Sequence, residues 1–254
     1  MLTLDPEQSV GEFVRLKPTR ARVFESLEID YCCAGKVSLL RACEKRGIDV
    51  DDVLQAIKKC DERADTDTLV DVDSMGLAEL ADHIVSAHHE YLREELPRLD
   101  LMTEKVSRVH GDKDERLFRM RQAFVDLKAE LDPHMIKEEK VLFPFVRQLE
   151  ASSHRQLLHS GSIADPIRQM ESEHDQAGDA LAILHESTDA YTLPDWACNT
   201  YRALLDSLAR LEADMHQHIH KENNVLFPKA IRLEQSNKCV ESSGVTKNTC
   251  VRSQ

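Results

Sequence analysis

An internal duplication constrains this chain of 254 residues more than any other feature. The sequence HMIKEEKVLFP begins at His134, and a near copy, HIHKENNVLFP, begins at His218. Each copy places a glutamate four residues after a histidine, at Glu138 and Glu222, and a further histidine precedes each copy by about 45 residues. Such a repeat indicates that one structural unit occurs twice, so both copies should fold alike.

The spacing of histidine and glutamate predicts two inward-facing helices. Residues four positions apart lie on the same face of an α-helix, so each pair can reach one point. Apolar residues extend the same faces in steps of three and four, which indicates that these faces turn toward a core. They are Met120, Phe124, Leu127, Leu131, Val141 and Phe145 in the first copy, and Leu204, Leu208, Leu211, Met215 and Val225 in the second. A glutamate on such a face must be paired or metal-bound, because an isolated buried charge is very costly.

The upstream histidines complete a predicted metal site. His174 lies on an apolar stripe, but periodicity fits both His88 and His89, and the repeat spacing favours His89. Helical bundles hold metals with inward side chains from facing helices. Imidazoles and carboxylates without a thiolate suit iron, manganese or zinc, and two glutamates that can bridge imply a dinuclear centre. The predicted ligands are His89, His134, Glu138, His174, His218 and Glu222.

Composition and net charge limit the fold class and the kinds of partner expected for this chain. Eight glycines, eight prolines and 5% aromatic residues favour an all-α protein. A net charge of -13 argues against nucleic acid or an anionic membrane as a partner. No apolar stretch has the roughly 20 residues of a membrane span. The first residues lack the pattern of an export signal, and seven irregularly spaced cysteines suit a reduced, cytoplasmic setting.

Changes in pattern along the chain predict its organisation. We expect a small helical domain at 1–62, an acidic linker at 63–76, a four-helix bundle at 77–233 and a disordered tail at 234–254. The first bundle helix should end before Pro97, and Pro144 and Pro228 should kink or end later helices just beyond the ligands.

Several sequences in the chain resemble the repair-of-iron-centres (RIC) family of di-iron proteins with a hemerythrin-like domain. The resemblance covers nearly the whole chain except the tail. It rests on DYCCxGK from Asp30, DHI from Asp82, HMxKEE from His134, ESEHD from Glu171 and ENNVLFP from Glu222.

The resemblance implies a fold, a cofactor and a function. The fold is an antiparallel hemerythrin-like four-helix bundle preceded by the small helical domain. The six predicted ligands would hold two iron ions joined by an oxo or hydroxo group. The family protects against nitrosative and oxidative stress, with nitric oxide and damaged iron–sulfur proteins as partners. Repair of iron–sulfur clusters, scavenging or enzymatic reduction of nitric oxide, and a simple reservoir for nitric oxide or O2 all stay open, as does a monomer or a homodimer.

Some residues near the predicted site have two interpretations. Glu130 and Glu173 could contact the ligand histidines or control access, or they could be solvated helix residues. Cys32 and Cys33 are the vicinal cysteines of the family and could be redox-active, with Lys36 favouring a thiolate, or they could be two small residues in a turn. His216 and His220 flank His218 by two residues, so we expect both to face solvent, away from the metal. His83 lies on a polar helix face and is expected to be exposed.

Overall fold

The computed structural model describes residues 4–63, 71–151 and 162–244, and only the backbone of 62–63 and 238–244. Within these ranges the chain forms helices and no β-strand. The prediction of an all-α protein, with a bundle behind a small helical domain, is confirmed. No helix in the described ranges is both long and apolar enough to cross a membrane.

The N-terminal helices are set by local capping signals. They are α1 (Val10–Leu16), α2 (Ala21–Ser26), α3 (Leu39–Arg46) and α4 (Val50–Arg63). The side chains of Ser9 and Ser38 accept hydrogen bonds from the first turns of α1 and α3. Gly47 ends α3 with a φ of 68°, because glycine enters the left-handed region without strain. The rings of Phe13 and Phe24 pack edge to face in the core of this domain.

Four long helices form the bundle in the described part of the chain. The first consists of α5 (Leu77–Ile84), a π-helical turn (Val85–His89) and α6 (Glu90–His110); the second of α7 (Arg116–Lys137), a π-helical turn (Glu138–Leu142) and α8 (Phe143–Ala151); the third of α9 (Ala164–Ser187); and the fourth of α10 (Asn199–His220), a π-helical turn (Lys221–Leu226) and α11 (Phe227–Gly244). Each π-helical turn contains a predicted ligand.

Pro97 does not end the first bundle helix, contrary to prediction, whereas the predicted kink or end at Pro144 and Pro228 stays a prediction. Pro97 lies within α6, which continues to His110. An interior proline costs about 3 kcal/mol, but Leu96 and Leu99 on either side are fully buried and contribute about 2 kcal/mol each. Pro144 and Pro228 are the second residues of α8 and α11. Each follows a wide π-helical turn, which opens the α-helical hydrogen-bond ladder where a proline would otherwise clash.

The buried face of the second bundle helix departs from the prediction at one position. Val141 was predicted to lie in the core but is 59% exposed, whereas Leu142 and Phe143 are buried. The π-helical turn does not by itself explain this difference, because the second copy also contains one and the equivalent Val225 is buried, as predicted.

The ends of the predicted domains are only partly described. Residues 64–70 of the predicted linker and 245–254 of the predicted tail lie outside the described residues. Within the expected tail, α11 continues as a helix to Gly244, so disorder from 234 was wrong for this stretch. Glu234 is buried and accepts a hydrogen bond from the backbone of Ile163, which holds α11 against the start of α9.

The N-terminal domain packs against the fourth bundle helix. His220 is buried and His216 half-buried, so the prediction that both face solvent was wrong. The ring of Tyr31 covers both, with centroids 6.1 Å from His216 and 5.5 Å from His220. Gln217 donates a hydrogen bond to the Tyr31 hydroxyl. Periodicity had identified the correct face of α10, but the partner on that face is another domain instead of water.

Candidate metal centre

Six buried side chains converge in the middle of the bundle, between two apolar clusters. They form two overlapping groups that share both glutamates. We call them the His89 group (His89, Glu138, His218 and Glu222) and the His134 group (His134, Glu138, His174 and Glu222). In each group the four donor atoms lie within 4.8 Å of one another. The structure therefore brings together all six residues named from the sequence.

Each glutamate has one oxygen near each group. The oxygens of Glu138 lie 3.3 Å from Nε2 of His89 and 3.4 Å from Nε2 of His134. Those of Glu222 lie 3.0 Å from Nε2 of His174 and 3.3 Å from Nε2 of His218. Despite these distances, no carboxylate oxygen of the two glutamates has a properly oriented hydrogen bond within the described residues. The donor atoms point into common spaces instead of at one another, as ligands around ions do.

Hydrogen bonds behind the imidazoles fix three of the rings. Nδ1 of His134 lies 2.8 Å from a carboxylate oxygen of Glu173, and Nδ1 of His89 lies 2.7 Å from one of Glu139. Nδ1 of His174 lies 2.8 Å from the amide oxygen of Asn223. An ionised carboxylate or an amide oxygen can only accept a hydrogen bond, so Nδ1 carries the proton in each ring. Metal-binding histidines are commonly held in this way.

The two neighbouring glutamates named from the sequence differ in their contacts. Glu173 touches a ligand histidine, whereas Glu130 lies exposed on α7 and is not part of this layer. The sequence analysis gave no role to Glu139 or Asn223. Each is next in sequence to a predicted ligand, which was the available signal, but each contacts a histidine on a different helix.

The fixed tautomers leave nitrogen lone pairs facing inward. Nε2 of His134 lies 3.2 Å from Nε2 of His174. With protons on both Nδ1 atoms of the neutral rings, two lone pairs would face each other across this gap and repel. A positive ion at the convergence point removes that conflict, and so does a proton. The arrangement thus fits the pair of metal ions that the donor set predicts.

Electrostatics in the site require positive charge. Burial opposes ionisation of Glu222, but His218 and His174 outweigh it and hold the pKa of the carboxyl well below its usual range. Burial also opposes protonation of His134, but Glu138 outweighs it and raises the pKa of the imidazole to about 9. Two ionised carboxylates with no exposed surface must be balanced by cations, either protonated imidazoles or metal ions.

The repeated Val-Leu-Phe-Pro sequence has a structural role in both copies. Phe143 stacks on the ring of His89, with centroids 5.8 Å apart, and Phe227 stacks on His174 at 6.0 Å. In each copy, the phenylalanine that follows the π-helical turn covers the upstream histidine of the same unit. The duplication therefore extends to the apolar wall of the site.

His88 belongs to a separate polar network. Its Nδ1 lies 2.8 Å from Asp214, and its Nε2 lies 2.7 Å from the ammonium of Lys221. Lys221 also contacts His83, which is half-buried and not exposed as predicted. Burial lowers the pKa of His88 to about 4, so the imidazole is neutral near pH 7. The choice of His89 over His88 agrees with this arrangement.

The Cys32–Cys33 loop lies against the metal centre. The thiol of Cys33 is 3.5 Å from the backbone carbonyl oxygen of His174. Asn224, two residues after Glu222, donates hydrogen bonds to the carbonyl oxygens of Tyr31 and Cys32. The ammonium of Lys36, which was expected to favour a thiolate here, pairs with Glu171 at 2.8 Å.

Comparisons with known proteins agree with this architecture. Residues 80–230 match the family model described as the hemerythrin HHE cation-binding domain, and residues 6–61 match a domain of unknown function, DUF542. The chain is 37% identical over 225 residues to the iron–sulfur cluster repair protein YtfE of Escherichia coli O1:K1, covering 89% of this chain and 97% of the relative. The protein of the same name from Escherichia fergusonii gives the same values.

Proposed function

Because the chain belongs to the repair-of-iron-centres family of proteins with a hemerythrin-like domain, we propose that it helps restore damaged iron–sulfur clusters. The proposal includes a dinuclear iron centre, binding of nitric oxide, and protection against nitrosative and oxidative stress. It is supported by the similarity to iron–sulfur cluster repair proteins over 89% of this chain and 97% of the relative, together with a buried donor set suited to two ions.

The residues of this centre would have different roles. Glu138 and Glu222 would help hold both ions, since each offers one oxygen to each group. When bound, two iron ions would supply redox-active centres with coordination positions left for a diatomic ligand such as nitric oxide. Glu139, Glu173 and Asn223 hold the imidazole protons on Nδ1, so that Nε2 of the three rings stays a donor to metal.

One observation carries the proposal above all others. Both carboxylates are fully buried, are shared by both groups of donors and lack oriented hydrogen bonds among the described residues. Buried carboxylates without such partners would greatly destabilise a bundle that had only a structural role. A pair of cations explains their placement.

Metal analysis and spectroscopy test the centre. We expect two iron ions per chain and the Mössbauer signature of a coupled pair, which changes on addition of nitric oxide. His134→Ala and Glu222→Ala should lose iron, whereas Glu130→Gln, on an exposed glutamate one turn before His134, should keep it. An iron-free wild-type protein, or equal iron contents in all the variants, would refute the centre.

The repair role needs its own experiment. We expect iron-loaded protein to restore activity to an iron–sulfur protein damaged by nitric oxide, and His134→Ala to fail. Reduction of nitric oxide is the alternative, favoured by the positions that four imidazoles and two carboxylates leave open on two ions. Catalytic formation of nitrous oxide with a reductant, without restored activity of the client, would replace repair with reduction. Reversible binding of nitric oxide, with neither restored activity of the client nor formation of nitrous oxide, would indicate a reservoir.

A further inference from the structure

The loop before α3 brings three potential metal ligands together. Asp30, Cys32 and Cys33 each place one donor atom within 4.8 Å of the others. The thiol of Cys32 lies 3.2 Å from Oδ1 of Asp30 and 3.9 Å from the thiol of Cys33. Both cysteines are free. This cluster is separate from the six donors of the bundle.

The distance between the thiols is that of two ligands on one metal ion. With metal–sulfur bonds of about 2.3 Å and tetrahedral angles, two thiolates on one ion lie about 3.8 Å apart. A disulfide would instead require about 2.0 Å. The observed 3.9 Å between Cys32 and Cys33 therefore matches chelation without a change in the loop.

Hydrogen bonds hold the loop in this shape. Oδ1 of Asp30 accepts the backbone N–H groups of Cys32 and Cys33 at 2.9 and 3.0 Å, and Oδ2 accepts that of Ala34 at 3.1 Å. From the bundle side, Asn224 donates to the carbonyl oxygen of Cys32. The three donors are thus positioned before any ion binds, which lowers the entropic cost of binding.

The charges around the cluster favour a cation. Asp30 forms no ion pair among the described residues, and the nearby ammonium of Lys36 is held by Glu171. A hydrogen bond with Cys33, burial and the charge of Asp30 keep the pKa of the Cys32 thiol well above its usual range. A cation held between the two thiols and the carboxylate would offset the negative charge of the donors.

The cluster opens into an acidic groove between the N-terminal domain and α9 and α10. The groove has a volume of about 820 Å³, and its described lining includes seven carboxylate side chains but one arginine, Arg46. Arg46 is itself paired with Glu28. A cleft lined by one sign of charge concentrates ions of the opposite sign. On its inner side, Cys33 lies 3.5 Å from the backbone of His174.

We propose that Asp30, Cys32 and Cys33 form a second metal site, which takes a thiophilic divalent cation of the ferrous or zinc class from the groove. Binding releases two thiol protons to solvent and forms two metal–sulfur bonds and one metal–oxygen bond, with no oxidation or reduction. The fourth position faces the groove and is open to solvent or to a thiolate of another protein. A role in passing iron to and from the bundle rests on the proposed function, whereas metal binding itself does not.

Cobalt(II) is a suitable probe, because thiolate ligation gives it an intense near-ultraviolet charge-transfer absorption that nitrogen and oxygen ligands do not. Full-length protein should show this absorption and saturate it at one cobalt ion per chain. Cys32→Ser and Cys33→Ser should abolish it. Asp30→Asn should weaken cobalt binding by about 10–100-fold, because it alters both a ligand and the support of the loop. Circular dichroism would verify the fold of each variant.

Cys43→Ser is the matched control, since Cys43 is a buried cysteine of the same domain outside the cluster. It should leave the absorption unchanged. A wild-type protein without the absorption, or an absorption that survives Cys32→Ser, overturns the second site. The test does not depend on metal binding in the bundle. Absorption that persists in Glu222→Ala supports the second site even if no iron is found in the bundle. Iron in the bundle without the cobalt absorption refutes the second site and leaves the proposed function unaffected.

Discussion

The two groups of donor residues are supported unequally, and for the proposed di-iron centre this predicts which ion is released first. In the His134 group both imidazoles are held from behind, His134 by Glu173 and His174 by Asn223. In the His89 group only His89 is held, by Glu139. Nδ1 of His218 is buried without a hydrogen-bond partner in the described part of the chain.

The difference can be converted into an affinity. A hydrogen-bonding partner behind a metal-binding histidine contributes about 10–100-fold in metal affinity, or about 1.4–2.8 kcal/mol. The two supporting glutamates are otherwise comparable, since Arg93 shares Glu139 and Lys137 shares Glu173. The missing partner of His218 should therefore make the His89 group weaker by about 10–100-fold.

Iron release to a chromogenic chelator measures this difference. We expect two phases of equal amplitude, the faster from the His89 group. Glu139→Ala should accelerate the fast phase, and Glu173→Ala should accelerate the slow phase by about 10–100-fold. Glu130→Ala, on the exposed side of α7, should change neither phase. Release in a single phase, or acceleration of the slow phase by Glu139→Ala alone, would refute this reasoning.

Two further predictions concern stability. A Cβ on Gly35 would lie 2.7 Å from the carbonyl oxygen of Tyr31 and would also overlap the amide of Asn224. Gly35→Ala should therefore lower the free energy of unfolding in urea by about 1–3 kcal/mol. Gly178→Ala, whose Cβ meets only ordinary contacts, should not destabilise the protein, and equal effects of the two variants would contradict the steric argument. Asp61 pairs at 2.6 Å with Arg20, which is almost fully buried, so an asparagine at position 61 should cost about 2 kcal/mol near pH 7. Burial opposes ionisation of Asp61, but the guanidinium of Arg20 lowers the pKa of Asp61 below the ordinary 3.8. The stabilisation is therefore present above about pH 4 and is lost as the pH falls through the pKa of Asp61 in the folded state. A difference in unfolding free energy between wild type and variant that persists unchanged at pH 2 would exclude the ion pair as its cause.

The sequence was most informative where a residue's role depends on its own helix. His134 with Glu138, and His218 with Glu222, could be paired from spacing because helical geometry alone places them on one face. The overlap of the two groups around shared glutamates followed from the duplication and agrees with the structure.

Roles that depend on contacts between elements could not be predicted. Glu139 and Asn223 act on histidines of other helices, so their function requires the order in which the helices pack. His220 has a polar neighbourhood in sequence, yet Tyr31 buries it. Val141 lies on the predicted apolar face but is exposed, whereas the equivalent Val225 is buried, so the repeat and the helical periodicity do not give the burial of both.

The π-helical turn Lys221–Leu226 gives four consecutive residues four different destinations. Lys221 reaches the His88 network, Glu222 the metal centre, Asn223 the ring of His174 and Asn224 the cysteine loop. Deleting one residue here would restore a regular α-helix and leave the helix beyond it in place, because the wide turn holds one extra residue, yet the remaining residues could not keep all four directions. One irregular turn of backbone, less than two helical turns long, thus contacts the metal centre, the ring of His174 and the N-terminal domain.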